Sequence, residues 1–122
     1  MSSESPYITP NAMKTFFVYV TARNAGEAAR IGRALVEERL AACVNLIPAM
    51  HSIYWWEGKI EEDEEALLVA KTTESLIPKV VEKIKSLHSY SCPCVVSWPI
   101  AAGNPDFLKW IVKETTPREK SR

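Results

Sequence analysis

An α+β fold of order β-α-β-β-α-β is predicted by three observations. Apolar periodicity alternates between strand and helix spacing, two long strand-like segments meet at Glu57-Gly58, and Asn stands before two of the helical stretches. Thr15 to Thr21, rich in β-branched and aromatic residues that fit a pleated surface, is the first strand. Asn24 and Glu27 have the spacing of a capping box, and Ala28, Ile31 and Leu35 form an apolar stripe, so a helix is expected over 25–40. Cys43 to Trp56 reads as a long strand in which Pro48 removes a ladder donor, which calls for a bulge or bend. Glu57-Gly58 is the tip of a tight hairpin, and Lys59 to Thr72 returns through an acidic run at 61–65 and the apolar run Leu67 to Ala70.

The second helix starts near Ser75, tolerates Pro78 in its first turn, and turns Leu76, Val80, Ile84 and Leu87 inward. Ser91 to Ile100 is the fourth strand, and Asn104-Pro105 opens a third helix with Phe107, Leu108, Ile111 and Val112 apolar. This order is that of the ferredoxin-like sandwich, two helices on one face of a four-stranded sheet, with one helix added at the C-terminal end. A hairpin of this length bearing Tyr54, Trp55 and Trp56 overreaches the helices and leaves unpaired backbone and aromatic surface. Both are satisfied by strand pairing with further copies, so a closed homo-oligomer is expected.

The 122 residues, 47% of them apolar, suit one domain over 14–115. It is flanked by a flexible extension over 1–13 and a charged, frayed tail over 116–122. Fifteen basic and fifteen acidic side chains balance, which argues against nucleic acid or an anionic membrane as partner. The opening residues lack the basic and apolar regions of a secretory signal, and no apolar run reaches the roughly 20 residues of a membrane helix. With three cysteines, an odd number, the expectation is a cytoplasmic protein in a reducing compartment.

His88-Ser-Tyr-Ser-Cys-Pro-Cys94 holds three borderline or soft ligands within seven residues. If the chain is extended from Ser91, Cys92 and Cys94 share a face with Pro93 stiffening the link, and His88 can swing to the same side. Thiolate and imidazole suit copper(I) or zinc better than magnesium or calcium. The same cysteines also fit a buried strand continuing into Val95 and Val96, and a helix-terminal His also fits a hydrogen-bonded or charge-complementing role. Cys43, inside the apolar run 40–47, reads as structural.

Five separated segments in register resemble the CutA divalent-cation-tolerance family: Arg39 to Pro48, Ser52 to Lys59, Lys71-Thr72, His88 with Tyr90, and Gly103-Asn104 with Leu108 and Trp110. The resemblance implies a trimeric ferredoxin-like fold with hairpins exchanged about a threefold axis, likened to the PII signalling proteins. It also implies a part in tolerance of copper and other divalent metals without an established reaction. Where the family segment after the second helix usually reads His-Pro-Tyr-Glu-x-Pro-Glu, this chain keeps His88, Tyr90 and Pro93 but has Ser89, Ser91 and Cys94. A copper-associated bacterial relative has proposed ligands at the places of Val20, Leu87 and His88, which leaves His88 alone as a shared ligand type.

Three functions are therefore weighed. The first is a homotrimeric metal-tolerance protein binding copper or another divalent metal ion through His88, Cys92 and Cys94. The second is a PII-like signalling or small-anion-binding module whose intersubunit cleft uses Tyr54, Trp56, Glu57, Lys59, Lys71 and Tyr90. The third is a structural or assembly partner. No nucleophile-base set, phosphate-binding loop or dinucleotide fingerprint is present, so neither an enzyme nor an organic cofactor is expected.

Overall fold

A computed structural model describes residues 14–117; the extension expected over 1–13 and the tail residues 118–122 lie outside the described residues. The chain runs β1 (Thr15–Ala22), α1 (Ala25–Glu37), β2 (Cys43–Trp56), β3 (Lys59–Thr73), a 3₁₀ turn (Glu74–Leu76), α2 (Ile77–Leu87), β4 (Val95–Pro99) and α3 (Pro105–Thr115). The four strands form one sheet in the order β2-β3-β1-β4, every pairing antiparallel. This is the expected ferredoxin-like α+β sandwich with an added helix.

Strand alternation divides the sheet into two unlike faces. Val18, Val20 and Ala22 of β1 and Ala66, Leu68 and Ala70 of β3 are buried against Ala28, Ile31 and Leu35 of α1 and Val80 and Ile84 of α2. On the opposite face, register brings Phe17 beside Trp98 and Tyr19 beside Val96 on β4, with Lys71 on the other flank of Phe17. Phe17 and Tyr19 lie 5.9 and 6.2 Å from the Trp98 ring, and the Lys71 ammonium stands 6.0 Å from the Phe17 ring centre. No helix of α1 or α2 covers these side chains, and Trp98 and Val96 remain exposed.

α1 and α3 begin at the expected caps, while α2 begins at Ile77, after a 3₁₀ turn and without a side-chain cap. The Asn24 side chain accepts from the Glu27 N–H at 2.9 Å, and Asn104 accepts from the Asp106 N–H at 3.1 Å. α1 stops at Glu37 rather than 40 because Arg39 takes φ 57°. The Leu40 and Arg39 N–H groups then bond the carbonyls of Leu35 and Val36, closing a Schellman turn. Arg39 is useful there beyond its backbone, since its guanidinium donates to the Glu114 carbonyl at 2.9 Å and carboxylate at 3.0 Å, tying α1 to the end of α3.

The hairpin arms are 14 and 15 residues long. The register shifts between Ile47 and Met50, at the bulge Pro48 called for. Beyond the bulge the hairpin outruns the helices, and Trp55, Ile53 and Ile60 are 71%, 64% and 59% exposed. Both tip residues have positive φ, 48° at Glu57 and 81° at Gly58, as a tight two-residue hairpin turn requires. Glu57 occupies that conformation without the local hydrogen bonding that makes Asn favourable there. Glu57→Asn is therefore expected to raise stability by roughly 0.5 kcal/mol, and Gly58→Ala to lower it by about 1 kcal/mol, both read from urea unfolding midpoints.

Candidate functional site

The site is organised by a buried carboxylate at the start of α1. Glu27 is 1% exposed; its Oε1 accepts from the Arg23 N–H at 2.8 Å and its Oε2 from the Ser89 N–H at 2.8 Å. The capping box thus reaches past its own helix and pins the turn that follows α2. Burial opposes ionisation of Glu27, but the hydrogen bonds from Arg23 and Ser89, with the nearby His88, outweigh it and hold the carboxyl below its ordinary value of 4.5. The His88 side chain is 0% exposed, and both ring nitrogens are engaged. Nε2 faces the Thr21 carbonyl oxygen at 2.7 Å, which can only accept, so Nε2 donates; Nδ1 accepts from the Tyr90 N–H at 3.1 Å. The Tyr90 ring lies 4.7 Å from that of His88, and its hydroxyl donates to Glu65 at 2.8 Å.

Tyr90 consequently lies over the bare face of the sheet. There it joins Tyr54, Trp56, Glu65, Cys92 and Cys94 in lining a cavity of about 520 Å³, floored by Tyr19 and Thr21. Glu65 is 8% exposed and is the one charged side chain in the lining. Burial and the bond to Glu65 push the Tyr90 phenol above its ordinary range, and the hydrogen bond to Asp63 pushes Tyr54 up to about 12. Both phenols are therefore protonated donors at neutral pH.

The residues expected at a functional site part company here. Tyr54, Trp56, Tyr90, Cys92 and Cys94 come together around the cavity. Glu57 forms the hairpin tip with Lys59 beside it, whereas Lys71 donates to the Asn45 side chain near the other end of β3. At about 3.4 Å per residue, Lys59 and Lys71 stand on the order of 40 Å apart, and a single chain does not bring them together. The expected extended segment from Ser91 is corrected: β4 begins at Val95, and Cys92 and Cys94 lie in the loop before it, both exposed. Thr21 is the next β1 residue in register after Val20↔Val95, and its carbonyl is already taken by His88, so the ladder ends there.

A divalent cation needing three or more protein ligands does not find them among the described residues of one chain. Among the described residues no group of three or more His, Cys, Asp or Glu is gathered in metal-binding geometry. His88 has no free nitrogen lone pair to offer, because Nδ1 already accepts and Nε2 carries a proton. Two residues of the site escape a reading of the sequence. Glu65 ends the acidic run at 61–65, yet it directly precedes the core run from Ala66, and that adjacency was its signal. Glu27 was read as a capping residue only, and nothing local announces its bond to Ser89.

Fold and site together define an α+β sandwich protein with a cavity on the bare sheet face below a projecting hairpin. The chain belongs to the family of CutA1 divalent ion tolerance proteins, which it matches over residues 16–114. It is 48% identical over 98 residues to the divalent-cation tolerance protein CutA of Thermus thermophilus, covering 80% of this chain and 95% of that protein. To protein CutA of Mus musculus it is 46% identical over 114 residues, covering 93% of this chain and 63% of the mouse protein. To the chloroplastic protein CutA 1 of Oryza sativa it is 41% identical over 107 residues, covering 88% of this chain and 60% of the rice protein. The chain thus spans about three fifths of the mouse and rice relatives. The solved Thermus thermophilus structure superposes with a TM-score of 0.81 at 46% identity, covering 84% of this chain and 99% of that one. That of the periplasmic CutA of Archaeoglobus fulgidus does so with 0.81 at 40% identity, with the same coverage.

Glu27→Ala leaves the Arg23 and Ser89 N–H groups without acceptors, and at about 1–3 kcal/mol for each orphaned donor the loss is expected to be about 3 kcal/mol. The pH dependence has a definite sign. A carboxyl held below 4.5 when folded contributes stability that is complete above 4.5 and is lost as pH falls through the lower folded value. Urea midpoints between pH 5 and pH 2 should therefore fall less steeply in Glu27→Gln than in the wild type.

Proposed function

We propose that the chain acts as a homotrimer that binds copper or other divalent metal ions and contributes to metal tolerance. The observation that carries the metal reading is membership, over residues 16–114, of a family described by divalent ion tolerance. The trimer is supported by the surface: Trp55, Ile53 and Ile60 lie exposed on a hairpin that the other described residues leave uncovered. At roughly 1.5–3 kcal/mol for each large apolar side chain fully buried, a few such residues per chain supply a substantial drive to associate. Neighbouring chains would then complete the cleft begun by Tyr54, Trp56 and Tyr90, and add metal ligands to those that the described residues of one chain present.

The role is binding rather than catalysis, and the compartment is reducing and cytoplasmic. Free thiols at Cys43, Cys92 and Cys94 support that compartment. No helix among the described residues is long and apolar enough to cross a membrane. The alternative of a small-anion or PII-like module draws on Lys59 and Lys71, but the cavity of one chain presents Glu65 and no basic side chain. An anion would need cations from a neighbouring chain.

Light scattering should give three times the chain mass of 13.7 kDa for the wild type. Trp55→Glu, which places a charge in the proposed contact, should shift it toward one chain mass. In a copper-sensitive host, expression of the wild type should restore growth and Trp55→Glu should not. A monomeric wild type, or unaltered copper sensitivity, would count against this reading.

A further inference from the structure

We propose that Cys92 and Cys94 form a two-thiolate clamp for one copper(I) ion per chain, a site of a different kind from a divalent-cation centre. The starting point is what surrounds the two thiols. Both are free, both are exposed, and both line the same cavity as Tyr54, Trp56 and Tyr90. Neither belongs to a strand, so no ladder fixes their side chains to the core. The neighbouring imidazole, which would otherwise raise the coordination number, is already committed on both nitrogens. His88 uses both ring nitrogens on Thr21 and Tyr90, and Glu65 accepts from the Tyr90 hydroxyl.

A donor pair of two soft sulfurs is itself selective. Zinc in protein sites takes four ligands, and magnesium and calcium take six or more oxygens, so two sulfurs leave all three under-coordinated. Copper(I) is soft and is selected by thiolates. Spacing favours a bridged pair over a disulfide. Positions two apart span at most about 7 Å between Cα atoms, at the limit of what a disulfide of about 2.05 Å tolerates. A metal bridge asks only that the sulfurs approach to about 4.6 Å, twice a metal–thiolate bond of about 2.3 Å. Pro93 restricts the backbone between the two thiols and lowers the entropy lost when they close on the ion.

The binding step balances without electron transfer. Copper arrives as copper(I), two S–H bonds break, two copper–sulfur bonds form, and two protons pass to solvent. The resulting bis-thiolate complex carries one net negative charge. The proposal rests on the metal-tolerance reading for its cellular meaning but not for its chemistry, and the two fail separately.

The test is an anaerobic titration of the full-length chain with copper(I) against a chromophoric copper(I) chelator, with thiolate-to-copper charge-transfer absorption as a second readout. The wild type should take one ion per chain. Cys43→Ser should do the same, which removes the third thiol from the account. Cys92→Ser and Cys94→Ser should each weaken binding by more than the roughly 100-fold that loss of a mere outer-shell partner can cost. The double variant should lose the charge-transfer band while keeping the wild-type circular dichroism and mass. One-to-one binding that survives in the double variant, or that vanishes in Cys43→Ser, overturns the clamp. Unaltered copper sensitivity in cells alongside intact copper(I) binding would overturn the tolerance reading and leave the clamp standing.

Discussion

The placement of everything that matters on the bare sheet face depends on one buried carboxylate. Glu27 accepts from two backbone N–H groups far apart in sequence, Arg23 before α1 and Ser89 after α2, at a buried position. A charge buried this deeply persists only with donors directed at it. The donors therefore have to be where they are, and the turn at 88–90 inherits their positions. His88 then ties that turn to β1, and Tyr90 ties it to Glu65 on β3. In this way a helix-capping interaction sets the roof of a cavity formed between the sheet and the hairpin.

The second constraint is the unequal coverage of the sheet. α1 and α2 bury one face with aliphatic side chains, while the other presents Phe17, Tyr19 and Trp98, and the hairpin carries Trp55 and Ile53 out beyond the helices. Surface of this kind on an isolated chain is an interaction surface. The acidic residues of β3 moderate it, since His51 pairs with Glu62 at 2.7 Å and Tyr54 with Asp63 across the two arms. Charge along an otherwise adhesive hairpin limits indiscriminate strand pairing and leaves a specific partner geometry favoured.

The fold was legible because its signals are local. Asn24 and Asn104 announce their helices, Pro48 its bulge and Glu57-Gly58 the hairpin tip, each by backbone chemistry that acts within a few residues. The end of α1 was misplaced because a left-handed Arg39 is uncommon for a residue with a β-carbon. The site was legible only in part. Tyr54, Trp56, Tyr90 and the two cysteines do share a cavity, but the start of β4 depends on which group occupies the Thr21 carbonyl, a contact between residues 67 positions apart. A separation of 62 positions hid Glu27's hold on Ser89, and the contact with Thr21 turned His88 from a candidate ligand into a bridging residue.

Amide hydrogen exchange at Ser89 tests this organisation most directly, because Ser89 lies in a loop and owes its proposed order to a single acceptor. The account predicts that the Ser89 and Tyr90 amides of the wild type exchange slowly, with protection approaching that of β1, and that Ser89 and Arg23, the two amides bonded to the Glu27 carboxylate, are the ones that speed up as Glu27 is protonated. Exchange of Ser89 at the rate of an unstructured loop, at a pH where Glu27 is ionised and β1 is protected, would contradict it.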